Sequence, residues 1–326
     1  MAEVQGIRIA AFGGPEEMSY TSWETPVPGD GEILVRHDAI GVNFIDTYHR
    51  TGLYAIPLPS GIGLEAAGVV EAVGGGVTRV RPGDRVSYCS GPVGAYAQAH
   101  VIKADRCVKV PDGLSSDIIA ASMLKGLTVQ YLIRQIHRCG PEDTVLFHAG
   151  AGGVGQIAIQ WLKHLGTTVI ATAGGDEKCN IAKALGADHV IDYRAGEVAP
   201  QVREITGGKG VRVVYDGVGK DTWLASLDSL QMRGLMVSFG NASGPVQGVD
   251  LGILAAKGSL FVTRPTLVHY TATEQALQDA ADDYFSVLQS GVVKIAPPTV
   301  YALKDAVQAH KDLQGRKTTG SLILRP

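Results

Sequence analysis

The plainest chemistry in this chain belongs to Gly150, Gly152 and Gly155. In Gly150-Ala-Gly-Gly-Val-Gly155 they fit the G-x-G-x-x-G pattern that seats the pyrophosphate of a dinucleotide. The first glycine permits a tight turn, the second lets the backbone approach the phosphates, and the third lets a helix pack closely on a strand. Gly153 and Val154 lie inside the pattern. The helix it opens, 156–165, offers the anion its positive end and free N–H groups. Such a pattern is informative only in context, and the context is present. An apolar run from Thr144 precedes it, the helix is amphipathic and stops at Gly166, and a second strand follows at 168–172.

The end of that second strand carries the next signal. A chain that prefers NAD places Asp or Glu about 20 residues beyond the glycines, on the ribose 2′-hydroxyl. Here the strand runs into Ala173-Gly174-Gly175, with Asp176-Glu177-Lys178 after it. No carboxylate stands at the tip to repel a 2′-phosphate, the small residues leave room for one, and Lys178 is within reach. The sequence therefore predicts NADPH. Each charge-assisted contact is worth roughly 1.5–3 kcal/mol, about ten- to a hundredfold in discrimination. The alternative is that Asp176 or Glu177 turns back to the ribose.

Around this turn, from about 141 to 263, strands and helices alternate, the signature of a doubly wound parallel sheet. Residues 1 to about 125 instead hold short strands divided by glycine and proline turns, such as Arg81-Pro-Gly-Asp84, which predict a small barrel-like β domain. Ser115-Ser-Asp117 caps a long apolar helix toward His137. The tail, with helices near 273–290 and 303–313 and a last strand at 321–324, is expected to return to the first domain.

With 326 residues, 45% hydrophobic and 19% charged, the chain has enough apolar residues for two packed cores. A net charge of −3 gives no global attraction to nucleic acid or anionic membrane. No signal peptide and no membrane span is legible, so a cytoplasmic location is expected. Cys89, Cys107, Cys139 and Cys179 have no C-x-x-C spacing and are expected to be free thiols, with Cys179, beside Lys178 at a helix start, the one whose pKa could be lowered. His148 is expected to be a strand-end residue, while His37, His49, His100 and His137 are scattered without metal-ligand spacing.

Seven stretches together carry a resemblance: Gly41-Val-Asn-Phe-Ile-Asp-Thr-Tyr48, Gly63-Leu-Glu-Ala-Ala-Gly68, Lys125-Gly-Leu-Thr128, Phe147–Gly155, Val211–Gly219, Arg233–Asn241 and Val262-Thr-Arg-Pro265. The chain resembles, over essentially its whole length, the zinc-independent, zeta-crystallin-like quinone oxidoreductases of the medium-chain dehydrogenase/reductase superfamily. The resemblance implies an α/β fold with a GroES-like β-rich catalytic domain (1–125 and 267–326) and a doubly wound Rossmann NADPH-binding domain (126–266), usually a homodimer through an edge of the Rossmann sheet. Zinc alcohol dehydrogenases of the superfamily have Cys where Asn43 stands and Gly-His-Glu where this chain has Gly63-Leu64-Glu65. Neither Asn nor Leu supplies a thiolate or imidazole, and the four-cysteine lobe is missing, so no metal is expected.

Without a Lewis acid, nothing visible stabilises an alkoxide, whereas a quinone or an activated enone accepts hydride with neutral donors and solvent protons. The candidate catalytic residues are Asn43, Tyr48, Tyr54 and Arg264. By resemblance their segment faces the nicotinamide, with ordinary packing the alternative for both tyrosines. Phe44 and Asp46 belong to the same segment, Asp46 either touching ribose or ordering the loop. The resemblance further places Lys178, Tyr193 and Arg316 around the 2′-phosphate, with Gly174 and Gly175. It sets Val218, Phe239, Gly240 and Asn241 beside the nicotinamide half, and Phe261 and Thr263 on an edge strand near the carboxamide. Thr128 and Tyr131 lie on the entering helix, where helix packing is the alternative. The expected function is NADPH-dependent quinone reduction. The rivals are an NADPH-dependent enone or alkenal reductase and, in a different class, AU-rich RNA binding, which the absence of a basic patch or RNA motif disfavours.

Overall fold

The computed structural model describes residues 2–315 and 318–326. Two compact units divide it, one of residues to Leu124, Thr271–Phe285 and Ile295 onward, the other of Lys125–Tyr270 and Ser286–Lys294. The sequence reading assigns all of 267–326 to the first. Ser286–Lys294 instead belongs with the second, where the Gln160 side chain accepts from Lys294 N (3.0 Å) and donates to Lys294 O (3.1 Å).

In the first unit, β1 (Glu3–Ile9) pairs with β2 (Ser19–Glu24) and β4 (Ser60–Gly61) in a small antiparallel sheet. The larger sheet centres on β3 (Glu32–Val42), flanked by β5 (Ala66–Val73), then β6 (Arg85–Tyr88) and β8 (Val108–Lys109), with β7 (Ala99–Lys103) also on β3. The chain's last strands complete it. β16 (Leu322–Arg325) pairs antiparallel with β3, and β15 (Thr299–Ala302) parallel with β16. Alternation along β3, shifted by one residue at the irregularity between His37 and Ala39, turns Ile33, Val35, Ile40 and Val42 into one core with Ile7, Ile9, Tyr96 and Leu324.

Helix α1 (Phe44–Thr51) follows β3 directly. Its sequence has no apolar stripe, because the face it buries is polar: Asp46, Thr47, His49 and Arg50. Asn43 is the N-cap, Asp46 at the third helical position accepts from the Asn43 N–H (2.8 Å), and Gly52, at φ 79°, ends the helix.

The second unit is a six-stranded sheet in the order β11-β10-β9-β12-β13-β14, parallel throughout. Its strands are β9 (Thr144–Phe147), β10 (Thr168–Ala173), β11 (His189–Asp192), β12 (Val211–Asp216), β13 (Leu230–Ser238) and β14 (Phe261–Thr263). α3 (Gly153–His164) and α4 (Asp176–Ala184) follow β9 and β10. The order reverses between β9 and β12, which makes the carboxyl ends of those strands the switch point where open α/β sheets bind ligands. Leu146, Ile170, Val214 and Met236 form the core beneath them. The long apolar helix expected toward His137, α2, is α-helical over Ser116–Gln130 and then widens to a π-helical turn over Tyr131–Ile136. No helix of the described residues is long and apolar enough to cross a membrane.

Candidate functional site

The glycine turn sits at the carboxyl end of β9. Gly152 is the N-cap of α3, so the N–H groups of Gly153, Val154 and Gly155 begin the helix with no carbonyl behind them to accept. Gly155 admits no side chain, since a Cβ there would lie 2.7 Å from Gly150 Cα and against the Ala149 carbonyl. The role of Gly150 differs from the one the motif suggests. The left-handed residue of the turn is Ala149 (φ 55°), and Gly150 is needed because a Cβ would stand 2.9 Å from that of Ala171 on β10.

A chain of hydrogen bonds ties this turn to the end of β12. Ala149 N–H donates to Thr172 Oγ1 (3.2 Å), and Thr172 Oγ1 lies 3.1 Å from His148 Nδ1. His148 Nε2 lies 3.0 Å from Ser226 Oγ, which donates to Asp216 Oδ2 (2.7 Å). Because Ser226 donates onward, His148 carries its proton on Nε2 and accepts from Thr172 at Nδ1. Burial lowers its pKa, against the pull of Asp216, so the ring is neutral. The other Asp216 oxygen accepts from Val218 N (2.8 Å) and Gly219 N (3.0 Å), shaping the loop after β12. Phe239 follows β13, its N–H donating to Asp216 O (2.8 Å), with its ring against Gly217, while a Cβ on Gly240 would strike Gly217. Asn241 is half-buried beyond it.

At the tip of β10, Gly175 has φ 85°, and a Cβ on Gly174 would strike the Tyr193 phenol. Lys178 is half-buried on α4, and Asp176 and Glu177 are exposed. Asp192 is turned to backbone, accepting from Gly175 N (3.1 Å) and Arg194 N (2.9 Å), which hold its pKa below the ordinary carboxylate range. Sequence reasoning missed Arg194, whose guanidinium lies within 3.2 Å of a Cβ built on Gly175. Its position beside Tyr193, at the end of the next strand, was the available signal. Arg316 lies outside the described residues.

The remaining candidates of this unit are spread over its elements. Arg264 Nη1 donates to Ser238 O (3.0 Å). Tyr131 is buried and stacked on Tyr270, rings 4.7 Å apart and 11° from parallel, and Thr128 is half-buried one turn earlier. Phe261 and Thr263 lie on the edge strand β14, with Phe261 60% exposed.

In the first unit, α1 assembles the other candidates. Tyr48 and Tyr54 are half-buried, their rings 5.3 Å apart edge to face, and Phe44 is exposed. Asn43 is buried, its Nδ2 donating to Glu65 Oε2 (2.7 Å), while Leu124 N–H donates to Glu65 Oε1 (2.6 Å). Asp46 has no exposed surface. Its Oδ2 accepts from Asn43 N and from Tyr96 Oη (2.9 Å), which ties the start of α1 to Tyr96. Behind it lie His310 Nε2, 3.0 Å from Tyr96 Oη, and Arg50, which donates to His310 Nδ1 (2.9 Å), Gln314 Oε1 (2.9 Å) and Gly13 O (3.1 Å). Tyr96, Arg50 and His310 carried no motif that could have flagged them.

Two sequence expectations are corrected. Cys179 is buried, and its pKa is raised by that burial rather than lowered by the helix start and Lys178. His137 is not isolated: its ring, Cys139 Sγ and an Asp143 oxygen all lie within 4.8 Å of one another. A search for paired cysteines passes over an H-x-C-x-x-x-D loop.

Comparison with known proteins gives the family of the chain. Residues 29–112 match the family model described as the alcohol dehydrogenase GroES-like domain, and 153–282 the one described as zinc-binding dehydrogenase. The chain is 53% identical over 321 residues to a quinone oxidoreductase of Pseudomonas aeruginosa, covering 98% of this chain and 99% of that one. It is 45% identical over 325 residues to a 2-haloacrylate reductase of a Burkholderia species, covering 96% of each. The crystal structure of Escherichia coli quinone oxidoreductase complexed with NADPH superposes with a TM-score of 0.97 at 50% identity, covering 99% of this chain and 100% of that one.

Proposed function

The chain belongs to the quinone oxidoreductase family of the medium-chain dehydrogenase/reductase superfamily, and from that premise we propose that it is an NADPH-dependent quinone reductase working without a metal at its catalytic centre. The observation that carries the reading is the phosphate cradle: three helix-start N–H groups at the switch point, on a turn where Gly150 and Gly155 leave no room for a side chain. NADPH fits it. Gly152–Gly155 would hold the pyrophosphate, and Gly174, Gly175, Lys178, Tyr193 and the newly recognised Arg194 the 2′-phosphate, with Asp192 turned away onto backbone. Val218, Phe239, Gly240 and Asn241 would take the nicotinamide half.

When bound, the cofactor supplies hydride from its nicotinamide C4. The protein's share is positioning and hydrogen bonding. Tyr48 and Tyr54 offer hydroxyls and flat apolar surface to an aromatic acceptor. Asn43 is a weaker candidate donor, because Glu65 already engages its amide. Its position holds neither thiolate nor imidazole, and Leu64 supplies no ligand, which supports a centre without zinc. Acceptor reduction then draws its protons from solvent.

The 2-haloacrylate reductase relative favours a second reading, reduction of an activated alkene by the same hydride. Titration with NADPH and NADH, followed by kcat/KM for 1,4-benzoquinone, 9,10-phenanthrenequinone and a simple enone, tests both. Strong enone turnover with negligible quinone turnover would reverse their order. A homodimer through β14 is part of the proposal, supported by the exposed Phe261 and Val262 on that free edge. Light scattering should then give twice the chain mass, and Val262→Arg should halve it. A cytoplasmic location agrees with four buried, free cysteines.

A further inference from the structure

We propose that His137, Cys139 and Asp143 form a binding site for one zinc ion, with water as the fourth ligand. The site lies at the amino end of β9, whereas the glycine turn lies at the carboxyl end, four residues and about 13 Å of strand away. It is therefore a clasp on the fold, independent of the proposed reduction.

The loop is fixed before any ion arrives. Cys139 N–H donates to Ile133 O (3.0 Å), which anchors the loop to the π-helical turn. At the other end Thr168 N–H donates to Asp143 O (3.0 Å), and Thr167 Oγ1 donates to Gly140 O (3.1 Å). Gly140 N–H holds Asp143 Oδ2 (3.0 Å), leaving Oδ1 toward His137 Nε2 at 3.0 Å. A backbone donor orienting a carboxylate in this way is what a metal ligand needs behind it.

Zinc bonds of about 2.0–2.3 Å set tetrahedral ligand atoms roughly 3.3–3.7 Å apart. The nitrogen and oxygen are already near that separation. All three ligand atoms lie within 4.8 Å of one another, so side-chain rotations of about an ångström would complete the set. A nitrogen, a sulfur and one oxygen suit zinc and not magnesium or calcium, which take oxygen shells. The sulfur is buried against Tyr215 Oη (3.2 Å), while the His137 and Asp143 side chains are 22% and 15% exposed, leaving an entry path and room for water.

Binding releases the Cys139 thiol proton to solvent, and the imidazole, whose Nε2–H donates to Asp143 Oδ1 before any ion arrives, shifts that proton through solvent to Nδ1 so that Nε2 ligates. Because the thiol must ionise to ligate, affinity should rise with pH.

The test uses untagged full-length protein stripped with a chelator and titrated with Zn²⁺ against a chromophoric competitor. One saturable equivalent per chain is expected. Co²⁺ should give a near-ultraviolet thiolate-to-metal absorption that Cys139→Ser abolishes and Cys107→Ser retains. His137→Gln and Asp143→Asn should each weaken Zn²⁺ at least about tenfold. Absence of a saturable equivalent, or a thiolate band surviving Cys139→Ser, overturns the site. If Cys139→Ser fails to fold, His137→Gln at a partly exposed position decides, and unchanged affinity overturns the proposal. NADPH titration of the same samples should be unaffected by chelation, which keeps this result separate from the proposed reductase function.

Discussion

His148 in the dinucleotide unit and His310 in the first unit are both buried, and both carry their proton on Nε2 toward a hydroxyl that donates onward to an aspartate. They differ in what they hold. Through Thr172, His148 reaches one backbone N–H, and its aspartate fixes two more, so the network organises main chain around the glycine turn and the loop after β12. His310 instead accepts from Arg50, and its chain through Tyr96 ends on Asp46, which holds the N–H of the N-cap residue Asn43 at the start of α1. In the proposed reading one half of the molecule meets the pyrophosphate with backbone, and its buried side chains shape that backbone. The other presents side chains and must anchor the short helix that carries them, from residues as far apart as 50 and 310.

The two halves should therefore fail differently. The largest effect is expected from Gly155→Ala, whose methyl meets backbone that cannot yield without moving the turn. NADPH affinity should fall about hundredfold, on the order of 3 kcal/mol, by fluorescence titration. Unfolding of the first unit's core should be unchanged, and a variant that still binds within threefold would break the cradle assignment.

Arg50→Met attacks the other half. It leaves His310 Nδ1 buried without its donor and takes a partner from the exposed Gln314 side chain, and a loss of about 2 kcal/mol is expected in denaturant unfolding. Quinone kcat should fall, because Tyr48 and Tyr54 depend on α1, while NADPH affinity stays within about twofold. An equal loss of NADPH affinity would dissolve the distinction between the halves.

The same difference decides what was legible in the sequence. The dinucleotide half writes itself locally: glycines at fixed spacing, an apolar strand before, an amphipathic helix after, and alternation that predicts the parallel sheet. Even there the pattern gave the residue and not its reason, since steric contact with Ala171 rather than a left-handed φ requires Gly150. The acceptor half is dispersed. Asn43, Tyr48 and Tyr54 were visible only through resemblance, and α1 itself was not read as a helix because its buried face is polar. An Asn43…Asp46 cap and Gly52 were the signs available. Tyr96 and His310 reach that helix only through tertiary packing, and no local pattern encodes such contacts.

Within the dinucleotide half, Lys178→Ala sharpens the comparison by separating charge from backbone. The cradle is common to both nicotinamide cofactors, so KM for NADPH should rise about ten- to thirtyfold, the loss of roughly 1.5–2 kcal/mol from one charge-assisted contact. KM for NADH should hardly move. Equal effects on both would remove Lys178 from the 2′-phosphate site and leave Arg194 and Tyr193 to account for any preference.

The smallest expected effect is a slope in pH. Burial, and then the neighbouring Arg50 charge, lower the His310 pKa from 6.5 to about 3, so the folded chain keeps this ring neutral where the unfolded chain protonates it. Between about pH 6.5 and 3 the unfolded state therefore binds one more proton at this site. Stability rises with pH across that window, by about 1.4 kcal/mol per unit from this group, and is flat above it. His37, also lowered to about 3 by burial, adds a slope of the same sign, so the measurement must be a difference. His310→Gln should lower stability at pH 7 through the lost Tyr96 and Arg50 contacts. It should also flatten the acid limb between pH 6 and 5 by about one proton relative to the parent. A variant that is destabilised with an unchanged slope would mean that His310 stays neutral for reasons shared by the unfolded chain, and the anchor of α1 would then be Arg50 and Tyr96 without it.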